Sequence, residues 1–336
     1  MLRFGVPLPR TQRYSRNKPP DESLPMWNLT FSPPQIIDAQ VLTSVPAELR
    51  KPVPSEWAHA NKPGQIIDCF LEGPAFDRSG NLYLTDIPHG RIFRVSTELK
   101  WECVADYGGW PNGLAIHADG SLWIADYRRG LLRLQVDTGE LSTILGHRDS
   151  ESFKGLNDLT FDMAGNCYFT DQGQTGMQDP SGRVYRLRCG QQGVQSLECL
   201  VSNAPSPNGL ALGQDGKVLF LAVTRANQVW RAPLPAAGSV SKVGVFQNFF
   251  GISGPDGMAL DREGGLVVAH ASLGGAFVMN ARGEITHFVR SPAGHTITNV
   301  AFRPGTSTLV LTDSSSGHVL EASLPNVGSE LYSHSG

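Results

Sequence analysis

Apolar and polar positions recur along this chain in one short phrase. A polar residue, usually followed by glycine, opens an apolar run. A polar turn comes next, and a second apolar run ends in an acid in most copies. The copies read EGPAFDRSGNLYLTD (72–86), NGLAIHADGSLWIAD (112–126), NDLTFDMAGNCYFTD (157–171), NGLALGQDGKVLFLA (208–222), DGMALDREGGLVVAH (256–270) and TNVAFRPGTSTLVLTD (298–313). Two apolar runs around a glycine-bearing turn such as Asp119-Gly120 or Asp215-Gly216 predict a hairpin. A third strand follows a loop, as in the runs starting at Gly90 and Gly182, and a weaker fourth follows that, as at 141–145. The copies begin 40 to 51 residues apart, a spacing that belongs to propellers, solenoids or arrays. Four strands in each of six units predict an all-β, six-bladed propeller. Nothing between residues 60 and 325 has helical periodicity.

The last copy has room for three strands before Pro325. The strand-prone segment 35–43 (QIIDAQVLT) is therefore expected to complete the sixth blade and close the ring. This divides the chain into an N-terminal extension, 1–60, with an irregular arm ahead of that strand; a propeller, 61–325; and a tail, 326–336.

Composition narrows the function more than the fold. A net charge of −3 gives no electrostatic case for nucleic acid. No run of 18 apolar residues could span a membrane, and the N-terminus lacks the apolar core of a secretion signal, so a cytoplasmic location is expected. Asn28-Leu-Thr therefore reads as a chance glycosylation sequon. The five cysteines, Cys69, Cys103, Cys167, Cys189 and Cys199, are odd in number and lack metal-type spacing. Cys167 is expected to pack as a small hydrophobe.

The first position of each copy carries the candidate chemistry. Glu72, Asn112, Asn157, Asn208, Asp256 and Thr298 stand where the chain enters the innermost strand of each blade, so symmetry should gather them at one mouth of the central channel. Asn or Asp before a strand often only bonds its own turn. Repetition in five of six copies, and Glu at one of them, favour a site. Carboxylate and amide oxygens are hard ligands that suit one divalent cation, Ca²⁺ first, with Mg²⁺ or Mn²⁺ behind it. No thiolate or histidine is in the column, which leaves zinc an opportunistic occupant. Asn112 either holds its turn or contacts substrate.

The second strands end in Asp86, Asp126, Asp171, Arg225, His270 and Asp313. Asp86, Asp126 and Asp313 are expected to bond loop backbone. His270 breaks the pattern and is a candidate proton carrier. The long loop from Asp171 to Arg183 suggests specificity, with Asp171 as a possible substrate contact. Trp110, Met177, Phe249 and Phe250 are candidates for an apolar wall.

The ordered set Leu71-Glu72-Gly73-Pro74, Leu156-Asn157-Asp158-Leu159, Cys167 to Asp171, Pro207-Asn208-Gly209 and Pro255-Asp256-Gly257 closely resembles the gluconolactonase family. That family takes in regucalcin, drug-responsive bacterial lactonases and, more distantly, diisopropyl fluorophosphatase. The resemblance covers roughly residues 65–325. It implies a six-bladed propeller with a divalent cation held by Glu72, Asn208 and Asp256, and with Asn157 as fourth ligand or substrate contact. Regucalcin-like members carry an arginine, associated with sugar lactones, where this chain has Gly155. Lys154, its neighbour, could take over part of that role.

The expected activity is opening of a lactone by water, with the carbonyl polarised by the metal. Asp256 would act as general base, as nucleophile, or as ligand alone with His270 or Asp171 as base. The same site could instead serve a phosphotriester or fluorophosphate, or hold a structural cation in an interaction scaffold. The partner expected is a small lactone, and the sequence does not fix the oligomeric state.

Overall fold

The computed structural model describes residues 33–190 and 193–335; the expectations for the arm and for Asn28 fall outside this range, apart from Pro33. Six four-stranded antiparallel units follow one another along the chain. The innermost strands are Leu71–Phe76, Pro111–Ile116, Leu156–Phe161, Pro207–Leu212, Pro255–Leu260 and Ile297–Phe302. Each pairs with the second strand of its own hairpin, and consecutive innermost strands pack side by side, the last against the first. The fold is a six-bladed β-propeller.

Closure divides the N-terminal segment differently from the expectation. Gln40–Ser44 pairs antiparallel with His318–Ser323 and supplies the missing outer strand of the sixth blade. Gln35–Asp38 instead adds, parallel, to Ile285–Arg290 at the rim of the fifth blade. Buried Ala39 lies between the two pieces, and its N–H donates to the Arg290 carbonyl. One segment thus straps two neighbouring blades. The resulting core lies between blades, where alternate strand residues such as Leu84, Ile124, Phe169 and Leu221 are buried. All five cysteines are free, and Cys167 is fully buried in this core.

Every innermost strand carries a register shift at the same place, between residues 72 and 75, 111 and 114, 156 and 159, 207 and 210, 255 and 258, and 297 and 299. A bulge leaves a residue out of the ladder and re-aims its side chain. These bulges coincide with the polar column, which accounts for a polar residue at the start of an otherwise apolar strand. The glycine that follows in four copies has a steric reason. A Cβ on Gly257 would stand 2.0 Å from Oδ1 of Asn299 in the next blade.

Hydroxyls at the ends of second strands tie blade to blade. Thr85 Oγ1 donates to the Asn112 carbonyl (2.7 Å), Thr170 Oγ1 to that of Asn208 (2.9 Å) and Ser314 Oγ to that of Leu71 (2.6 Å). They fix the backbone at or next to the column residues.

One short helix departs from the all-β reading. Glu56–Asn61 starts at Ser55, whose side chain accepts from Ala58 N–H, and stops before Pro63. The tail crosses the far end of the channel: Ser329 N–H donates to the Leu260 carbonyl, and Arg78 donates to that of Ser333.

Candidate active site at the channel mouth

All six column residues line one cavity of about 850 Å³. Glu72, Asn112, Asn208, Asp256 and Thr298 are buried, and Asn157 is half-buried. Glu72 Oε2 accepts from Gly73 N–H and from Asn299 Nδ2, both at 2.8 Å. The amide nitrogen of Asn157 donates to Gln172 Oε1 (3.0 Å) and that of Asn112 to the Leu156 carbonyl (3.4 Å). Their Oδ1 atoms accept no hydrogen bond among the described residues. Thr298 differs: its hydroxyl bonds Ser314 and Thr312 within the wall.

A second, smaller cavity of about 180 Å³ continues down the channel, lined by the following residues of all six innermost strands. Asp158 faces it, one residue beyond Asn157. Glu72, Asp158 and Asp256 therefore form a buried acidic group. Burial raises all three carboxyls above their ordinary range. The charge of Glu72 adds to this at Asp158, which is pushed up to about 8. At Asp256 the neighbouring Glu72 and Asp158 add to burial, while Asn208 and Arg225 oppose it. At Glu72 hydrogen bonds from Asn299, Gly73 and Thr298 oppose burial. Such a group strongly favours a bound positive charge. Among the described residues no three His, Cys, Asp or Glu side chains make a metal cluster by themselves. The donors at this mouth are two acids mixed with amides.

The strand-end residues separate into two kinds. Asp86 accepts from Phe70 N–H and Arg91, Asp126 from the N–H groups of Arg128 and Arg129, and Asp313 from Gly294 N–H. Asp171 belongs with them: it is fully buried, Oδ1 accepts from Gly155 N–H (2.9 Å), and it does not line the mouth. The strand register puts Val223 at the equivalent position of the fourth blade. Arg225 lies two residues further, in a 3-10 turn that brings it to the cavity.

His270 is also away from the mouth. Its ring is fully buried between Phe249 and Phe277, at centroid distances of 6.0 Å from each, and neither nitrogen has a partner. Burial lowers its pKa to about 4. The side chain packs within the blade and is not part of the cavity lining. Trp110 and Met177 line the cavity as expected. Phe250 is exposed and outside the lining, while Ile252, two residues on, is in it. Lys154 is exposed and off the cavity.

Several lining residues escaped the sequence reading. Trp57, Asn61 and Lys62 come from the short helix and the residue after it, and Tyr127 and Gln172 from the loops after second strands. The signal for the helix was present, as Ser55 before an acid and Lys62-Pro63-Gly64 after it, but six residues are too few for periodicity.

A family model described as "SMP-30/Gluconolactonase/LRE-like region" matches residues 70–315. Lactonase drp35 of Staphylococcus aureus (strain bovine RF122) is 30% identical, over 79% of this chain and 83% of its own. The drp35 of Staphylococcus saprophyticus is 30% identical over 76% and 80%. Among solved structures, a gluconolactonase from Xanthomonas campestris superposes with a TM-score of 0.67 at 22% identity, covering 85% of this chain and 99% of that one. A calcium-binding regucalcin from Agrobacterium tumefaciens gives 0.70 at 20% identity, covering 88% and 98%. These two likenesses bear on the fold. With the family match spanning most of its length, this chain belongs to the SMP-30/gluconolactonase/LRE-like family.

Proposed function

We propose that this protein is a metal-dependent lactonase that opens a small cyclic ester with water at the channel mouth. The observation that carries the reading is the gathering of Glu72, Asn112, Asn157, Asn208 and Asp256 around one cavity, with buried carboxylates that lack sufficient cationic partners. The relatives named lactonase and gluconolactonase support the same reaction.

The donor set fits a hard divalent cation. Glu72, Asn208 and Asp256 would hold it, with Asn157 as a fourth ligand or a substrate contact. Calcium suits these oxygens first, and the calcium-binding regucalcin relative agrees with that choice; Mg²⁺, Mn²⁺ and Zn²⁺ are the alternatives. When bound, such a cation supplies polarisation of a carbonyl oxygen and neutralisation of the developing oxyanion. The chain's own residues do the remaining work. Asp256 takes the proton from the attacking water, and Asn112 and Asn157 keep Oδ1 acceptors that no protein donor occupies, free to hold that water or a substrate hydroxyl by accepting from it. The latches from Thr85 and Thr170 hold the backbone of Asn112 and Asn208, so the site is preorganised.

Proton release from a panel of sugar and alkyl lactones tests this in wild type and Asp256→Asn. The variant should lose at least about 100-fold in kcat/KM while keeping its fold by circular dichroism. Wild-type turnover by a folded Asp256→Asn protein would overturn the role of Asp256. No turnover of any lactone by wild type, with each metal supplied, would overturn the reading itself.

A further inference from the structure

The third residue after each column residue is small: Ala75, Ala115, Thr160, Ala211, Ala259 and Ala301. All six line the lower cavity, so a narrow bore runs down the axis from the acidic group. Larger side chains would fill this centre, as protein interiors ordinarily are filled. At the far end the bore meets the tail instead. The turns between first and second strands lie at that end, opposite the column, and the tail crosses them. Asn326 Nδ2 donates to Asp261 Oδ2 (2.9 Å) and Ser329 Oγ to the Asp261 carbonyl (2.7 Å) in the fifth blade. The Tyr332 ring packs against His117 of the second blade (5.2 Å between centroids) and Phe161 of the third (5.5 Å). Gly165, at φ +82°, leaves room for the Tyr332 hydroxyl; a Cβ there would stand 2.6 Å from it. In the first blade Arg78 Nε donates to the Ser333 carbonyl (2.8 Å), and His334 Nε2 lies 3.2 Å from the Asp77 carbonyl oxygen.

A tail that merely finished the sixth blade could stop at that blade. This one runs on from the fifth blade to the first, and residues 329–333 along it line the bore. Glu72, Asp158 and Asp256 gather between this floor and the mouth. A cation leaves such a buried acidic group only by exchanging protein oxygens for water, so it needs a path that water can follow. A bore open at both ends would supply two. Resting on the metal-hydrolase reading above, we propose that residues 326–335 are a plug that closes the far end of the bore. The cation then enters and leaves through the substrate mouth alone, and a ligand occupying that mouth locks it in.

The first readout is calcium release to a fluorescent chelator, followed by stopped flow with and without saturating δ-valerolactam, an unreactive stand-in for a lactone at the mouth. In the full chain the lactam should slow release at least about tenfold. In a chain lacking residues 326–336, release should be about tenfold faster and the lactam should change it less than about twofold. Tyr332→Ala, which empties the aromatic socket, gives the same reading should the shortened chain fail to fold. Equal slowing by the lactam in the full chain and in a folded variant overturns the plug, and a lactam that leaves release from the full chain unchanged overturns the locking. The second readout needs neither metal nor lactam. Ala259→Cys, in the bore wall, is labelled by a methanethiosulfonate reagent and read on its own peptide by mass spectrometry. Labelling should be at least about tenfold faster without the tail, and equal rates overturn the plug. A protein that binds no calcium, yet whose labelling depends on the tail, overturns the metal-hydrolase reading and keeps the plug.

Discussion

An imidazole ends the second strand of the fifth blade, where four other blades end in an aspartate. The position suggested a proton carrier; the structure places the ring in the interior of the blade, away from the cavity lining. Phe249, Phe277 and the strand backbone enclose His270 completely, so the neutral ring is favoured and its pKa falls to about 4. The unfolded chain would protonate this ring near 6.5, and the folded chain only near 4. Between those values the unfolded state binds more protons, so stability is full above pH 6.5 and falls as pH drops toward 4. The total is about 3 kcal/mol. In urea unfolding at pH 7 and pH 4.5, wild type should lose stability relative to His270→Phe, a difference that cancels the opposite contribution of the raised carboxyls of Asp158 and Asp256 common to both proteins. Equal pH dependence in both proteins would contradict the account. The roles of Asp86, Asp126 and Asp313 were legible, because an acid that closes a loop needs only the backbone beside it. Asp171 shares their role but not their prediction, since the long loop beside it drew attention to substrate instead.

At the scale of the element, the bulge and the latch together build the site. The bulge was half legible: the sequence shows a polar residue, usually with a glycine after it, at the entry of an apolar strand, but not the register shift this produces. The latch was hidden. Thr85 and Thr170 stand in quoted Leu-Thr-Asp and Phe-Thr-Asp triplets, yet their partners are 27 and 38 residues away in the next blade, and a β-branched polar residue in a strand has an ordinary propensity explanation. Thr170 Oγ1 also accepts from Asp158 N–H at 3.0 Å. Thr170→Val keeps the shape and leaves that buried donor and the Asn208 carbonyl without the hydroxyl. It should cost about 1–3 kcal/mol in urea unfolding and lower kcat/KM more than a Thr→Val change on an exposed outer strand would. A neutral substitution would remove the latch from the account. The helix at 56–61 lies at the other extreme: its cap and stop residues are the whole of its signal, since six residues show no periodicity, yet it contributes Trp57 to the cavity.

Across the whole molecule, the six-fold period made the architecture legible, and symmetry then brought residues more than 200 positions apart to one mouth. Closure was legible in kind but not in detail, because strand propensity cannot tell a segment that pairs with one blade from one that bridges two. Removing residues through Ser44 takes away the antiparallel partner of His318–Ser323 and the parallel partner of Ile285–Arg290. The exposed edges should lower Tm by about 10 °C or more and promote association, read by thermal unfolding with light scattering. An unchanged Tm would mean that the ring is stable without its strap. The described residues include no helix long and apolar enough to cross a membrane.

In the proposed function, the oxygen-rich ring at the channel mouth hydrolyses lactones with a bound divalent cation. This activity is tested most directly by proton release from a reactive lactone, measured on one preparation as purified, after stripping by a chelator, and after calcium is returned. The account predicts that turnover disappears with the cation and comes back with it in wild type, and does not come back in Asp256→Asn. Full turnover in the stripped protein, with its fold intact, would contradict it.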